Sequence, residues 1–126
     1  MVPTLTSAIL LVEDEYNLRQ SLRLILMHAG YAVKTFKNCK DASDGPEKTE
    51  YSLVVLSLHN SGQSASDQIA KIRACYPSVP IMVLAANEST DLERAGERGA
   101  EFYLVKPIDP GLILAQINTI IKGHYK

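Results

Sequence analysis

Leu53-Val54-Val55-Leu56-Ser57-Leu58-His59-Asn60-Ser61-Gly62 is the stretch on which the fold is read. Leu53 to Leu56 are apolar, and the run passes without a break into one small polar residue and then a turn-prone cluster. A short continuous apolar run predicts a strand buried on both faces, the kind found in a parallel sheet. Ser57 then stands at the carboxyl end of that strand. Open parallel α/β sheets bind ligands outside the carboxyl ends of their strands. The serine therefore lies where such a fold does its chemistry.

Toward the N-terminus, Ala8-Ile9-Leu10-Leu11-Val12 predicts a first buried strand, which ends in Glu13-Asp14-Glu15. From Asn17 the period changes. Leu18, Leu22, Ile25, Leu26 and Ala29 recur at helical spacing and predict an amphipathic helix. Asp14 or Glu15 lies near its start, where the helix dipole favours negative charge, and Gly30 ends it. Tyr31 to Phe36 alternates and predicts a second strand, exposed on one side. Asn38 to Glu50 is poor in apolar residues and contains Gly45-Pro46, which predicts a short or broken helix.

Toward the C-terminus, Asn60 to Ser66 reads as a polar loop. Ala65 to Cys75 follows as a helix with Ile69 and Ile72 inward. Val79 to Ala86 predicts a fourth strand. Glu88 to Arg98 predicts a helix with a thin apolar face, chiefly Leu92 and Ala95, closed by Gly99. Phe102 to Val105 predicts a fifth strand that ends at Lys106-Pro107. Leu112, Ile113, Ile117, Ile120 and Ile121 mark a last helix, and Met1 to Ser7 reads as an unstructured lead. Strands and helices in strict alternation imply an α/β fold, a three-layer α/β/α sandwich with right-handed crossovers. The length of 126 residues favours one domain, 1–126, with its core from about residue 8 to 122.

The composition removes several function classes. A formal net charge of −1 gives no general electrostatic case for nucleic acid. Cys39 and Cys75 are not at metal spacing and do not suggest a disulfide framework. His28, His59 and His124 are isolated from one another and from the cysteines. No apolar run approaches the ~20 residues that span a bilayer, and no signal peptide is read. A cytoplasmic protein with no direct nucleic-acid or membrane partner is expected.

Strand ends from distant parts of the chain should meet on one edge: Glu13 and Asp14, Ser57, Ala85 and Lys106. Leu11-Val12-Glu13-Asp14-Glu15, the apolar third strand, Gly99-Ala100 and Tyr103-Leu104-Val105-Lys106-Pro107 together resemble the receiver domain of two-component response regulators. The resemblance runs from about Ala8 to Lys122. It implies a flavodoxin-like (βα)5 fold with strand order 2-1-3-4-5. In that family the first-strand acids help hold Mg²⁺, and an aspartate ending strand three accepts phosphoryl from a histidine kinase. A Thr or Ser ending strand four and a Lys ending strand five contact the phosphoryl group.

By this resemblance Glu13 and Asp14 match the metal-binding acids. Lys106 matches the lysine, and Tyr103 the switch aromatic of the fifth strand. Ser57 stands at the phosphoacceptor position and Ala85 at the hydroxyl position. His59 falls where a backbone carbonyl completes the metal site. Ser61 and Ala65 stand where the loop usually has a proline and a glycine. The departures lie at the chemistry. A serine hydroxyl needs a nearby base to become a nucleophile, and it brings no carboxylate to Mg²⁺. The plain alternatives are an ion pair between the acids and Lys106, a spacer at Ser57, and an interface residue at Tyr103.

The leading expectation is a degenerate receiver: a non-enzymatic signalling module that acts by protein contact, without Asp phosphorylation and with no cofactor beyond a weak Mg²⁺ site. Its partners would be a histidine kinase, an effector or another regulator. A homodimer could form through the face of the Glu88–Arg98 helix, the fifth strand and the last helix. The second reading is a working receiver with an unusual or engineered acceptor at Ser57. The third is a flavodoxin-like small-molecule enzyme, for which no Gly-rich phosphate loop is present.

Overall fold

The computed structural model describes residues 7–43, 51–58, 65–85 and 100–122. Within them the order is β1 (Ala8–Val12), α1 (Tyr16–His28), β2 (Ala32–Phe36), α2 (Cys39–Ser43), β3 (Leu53–Ser57), α3 (Ala65–Cys75), β4 (Ile81–Ala85), β5 (Phe102–Val105) and α4 (Pro110–Lys122). The helix expected at Glu88 to Arg98, its closing Gly99, the loop from Asn60 up to α3 and the lead before Ser7 lie outside the described residues.

The strands form one parallel sheet in the order β2-β1-β3-β4-β5. Period two sorts their side chains into two cores. Leu10, Val12, Val54, Leu56, Ile81 and Val83 face Ile69 and Ile72 of α3. Ile9, Leu11, Leu53, Val55, Met82 and Leu84 face α1 and α4 through Leu22, Leu26, Ile113 and Ile117. The central strands β3 and β4 are buried at every position, which is why they read as unbroken apolar runs. Edge strands β2 and β5 are partly exposed, and β2 keeps Lys34 and Thr35. Each fully buried aliphatic side chain contributes about 1.5–3 kcal/mol of transfer free energy.

Local chemistry sets the ends of α1. Glu15 caps it, accepting from the amides of Asn17 at 2.8 Å and Leu18 at 2.9 Å. Gly30, at φ +101°, takes the left-handed turn out of it.

Three sequence expectations shift. β4 starts at Ile81 rather than Val79, because Pro80 has no amide to donate; its carbonyl instead accepts from Val54 N at 3.0 Å. Ala29 is the α1 C-cap and is exposed, not part of the buried stripe. Leu112 is 47% exposed. The buried line of α4 is Ile113, Ile117 and Ile120, and Leu112 lies about 100° around the helix from Ile113.

Ile117→Ala should therefore destabilise the fold by about 2–5 kcal/mol. Leu112→Ala should stay within about 0.5 kcal/mol. Urea denaturation of the two variants checks the contrast.

Candidate functional site

The parallel register places four strand ends on one edge. Val12 pairs with Leu56, Ser57 with Leu84, and Ala85 with Val105. Glu13, Ser57, Ala85 and Lys106 are consequently brought from the whole length of the chain to the carboxyl side of the sheet.

Glu13 follows β1 directly, and its amide still pairs with Phe36 O at 3.0 Å. Its side chain is fully buried, and Ser57 is 4% exposed. The Ser57 hydroxyl donates to Glu13 Oε1. The Glu15 amide donates to Glu13 Oε2 at 2.8 Å. Lys106 Nζ lies 3.8 Å from Glu13 Oε1, a charge pair rather than a hydrogen bond. The same ammonium donates to Leu58 O at 2.9 Å. A buried carboxylate requires this kind of compensation, because desolvating an unpaired charge is costly.

The backbone supports the cluster. Leu58 N donates to Leu84 O at 2.8 Å, and Lys106 N donates to Ala85 O at 2.8 Å. From α1, Arg19 Nη1 donates to Glu13 O at 2.9 Å and to Asp14 O at 3.4 Å. The peptide between Lys106 and Pro107 is cis.

Burial pushes the Lys106 ammonium below its ordinary value of 10.5, and the charges of Glu13 and then Asp14 oppose that shift. Asp14 is exposed at the rim of the cluster. Ala85 is buried and presents a methyl group at the end of β4. Tyr103 is 40% exposed on the edge strand β5, in register with Val83. His59 and Ser61 lie outside the described residues, and Ala65 opens α3.

Sequence reasoning named Glu13, Ser57 and Lys106 but missed the groups that join them. The Glu15 amide and the Leu58 carbonyl are backbone groups, which carry no signal in side-chain identity. Arg19 was within reach of inference, since it lies one helical turn beyond Glu15 with its side chain directed back toward the N-terminus.

Chemically, the cluster is arranged to hold. A carboxylate is a weak base toward a hydroxyl, and Ser57 is nearly closed to solvent.

The family model of the response regulator receiver domain matches residues 9–118. The chain belongs to the response regulator receiver family. Response regulator ArlR of Staphylococcus aureus is 36% identical to this receiver over 115 residues, covering 90% of the chain and 52% of that protein. The receiver thus spans about half the length of the curated relatives it matches. Among solved structures, a two-component response regulator from Clostridium difficile superposes with a TM-score of 0.85 at 23% identity, covering 96% of this chain and 100% of that one. The non-phosphorylated HemR receiver domain from Leptospira biflexa superposes with a TM-score of 0.80 at 26% identity, covering 92% and 94%. The five-stranded 2-1-3-4-5 sheet is the fold these receivers share. Among the described residues no helix is long and apolar enough to cross a membrane.

Lys106→Met should destabilise the receiver by about 1–3 kcal/mol, because Leu58 O and Glu13 each lose a buried partner. It should also flatten the alkaline limb of stability. A lysine whose folded pKa lies below its unfolded one binds more protons when unfolded, so stability rises with pH through that window toward 10.5. Urea denaturation of parent and variant across alkaline pH compares the slopes.

Proposed function

We propose that this receiver is a degenerate one, which signals by protein–protein contact rather than by accepting phosphoryl on an aspartate. The observation that carries the reading is Ser57. It ends β3, where the family places its acceptor, and its hydroxyl is committed to Glu13.

The chemistry of the edge supports this. An aspartate is a nucleophile at neutral pH, whereas a serine needs an activating base. Phosphoryl transfer depends mostly on positioning and on stabilising charge, and Ala85 has no hydroxyl to donate to a transferring phosphoryl oxygen. Mg²⁺ binding at this edge is weak in the same reading. That ion takes near-octahedral oxygen ligands, usually including one or two carboxylates. Glu13 and Asp14 are the two carboxylates present, Ser57 brings no third, and both Glu13 oxygens already accept hydrogen bonds from the protein.

The output surface in this reading is the β5 side, where Tyr103 is exposed. The partners are proteins of a two-component pathway: a histidine kinase, an effector or another regulator. Homodimerisation through the surface of β5 and α4 belongs to the same proposal.

Intact mass after incubation with acetyl phosphate and Mg²⁺ tests the reading. The parent should gain no phosphoryl group. Ser57→Asp should react slowly, and Ser57→Asp with Ala85→Thr faster by roughly 10²–10³, the effect of one donor aimed at developing charge. Rapid phosphorylation of the parent at Ser57 would refute the proposal.

A further inference from the structure

Glu13 is a fully buried carboxylate at the end of a strand, and the structure accounts for both of its oxygens. Oε1 accepts from the Ser57 hydroxyl and faces Lys106 Nζ at 3.8 Å. Oε2 accepts from the Glu15 amide at 2.8 Å. We propose that the Ser57 hydroxyl is a built-in replacement for a divalent cation at this edge, holding the Glu13 carboxylate against Lys106 so that the strand ends keep one arrangement with no metal bound. The inference rests on reading this edge as a receiver site that lacks its acceptor carboxylate.

A carboxylate at position 57 would stand beside Glu13, and two neighbouring carboxylates repel until a cation or a proton separates them. A serine adds no charge. Its hydroxyl makes a charge-assisted hydrogen bond to the carboxylate instead, and the single ammonium of Lys106 balances the single buried charge. The effect then spreads through bonds already described. Lys106 ties β5 to β3 through Leu58 O at 2.9 Å. Arg19 ties α1 to β1 through Glu13 O at 2.9 Å. Ser57 is thus a positioning residue, acting through Glu13 on the segment that leads from β5 into α4.

Thermal melting of the full chain in EDTA and in millimolar MgCl₂, with amide exchange at Glu15 read by NMR, tests the inference. The parent should melt at the same temperature in both solutions. Ser57→Asp should melt several degrees lower in EDTA and recover in MgCl₂. Ser57→Ala should melt lower in both, and its Glu15 amide should exchange roughly tenfold faster as Glu13 loses a partner. Ser57→Thr, which keeps the hydroxyl, should restore slow exchange at Glu15. The inference is overturned if MgCl₂ raises the melting temperature of the parent as much as that of Ser57→Asp, or if Ser57→Ala leaves Glu15 exchange unchanged. If Ser57→Ala does not fold, the parent with and without MgCl₂ and Ser57→Thr decide the matter. Phosphoryl labelling of the parent would defeat the underlying proposal, whereas an unlabelled parent stabilised by MgCl₂ defeats this inference alone.

Discussion

A carboxylate with no exposure to water sits at the end of β1, and the carboxyl edge of the sheet is built around it. Glu13 must be compensated from within the protein, because its unpaired burial would cost several kcal/mol. Compensation comes from a neutral hydroxyl on β3, a backbone amide at the start of α1 and an ammonium after β5. The Ser57 and Lys106 donors, which come from other strands, depend on the register of the sheet. A one-residue slip of β3 would turn the Ser57 side chain to the other face of the sheet.

That register is enforced by the two cores. Alternate residues of β1, β3 and β4 pack against α3 on one side and against α1 and α4 on the other. Because both faces are apolar, the strands have no polar side to present to solvent, and their pairing is held from both directions. The polar residues are displaced to where the strands end. Open parallel sheets bind ligands outside the carboxyl ends of their strands, and Glu13, Ser57, Ala85 and Lys106 stand at that edge here. In the proposed reading, a neutral donor oxygen at position 57, in place of a charged acceptor, turns an edge suited to cations into one that closes on its own lysine.

Family membership accounts for the scaffold. It does not by itself say what Ser57 and Ala85 do, since fold and family set a site's location and the side chains set its chemistry. The chain also spans about half the length of its curated relatives.

Much of this was legible in the sequence. The unbroken run Leu53 to Leu56 marked a central strand, the helical spacing from Leu18 to Leu26 marked α1, and Glu13, Ser57, Ala85 and Lys106 could be assigned to one edge by alternation alone. Those signals are local: side-chain periodicity reports burial on a strand or helix directly. Small displacements, such as β4 starting after Pro80 and Leu112 facing outward, came from hydrogen-bond capacity and helix phase. The tertiary structure alone decided how the edge is wired. That Glu13 is sealed from solvent, that Ser57 donates to it, and that Lys106 reaches both Glu13 and the Leu58 carbonyl depend on strands far apart in sequence pairing in one parallel register. A backbone carbonyl or amide is the same at every residue, so no sequence pattern announces which one a buried charge will recruit.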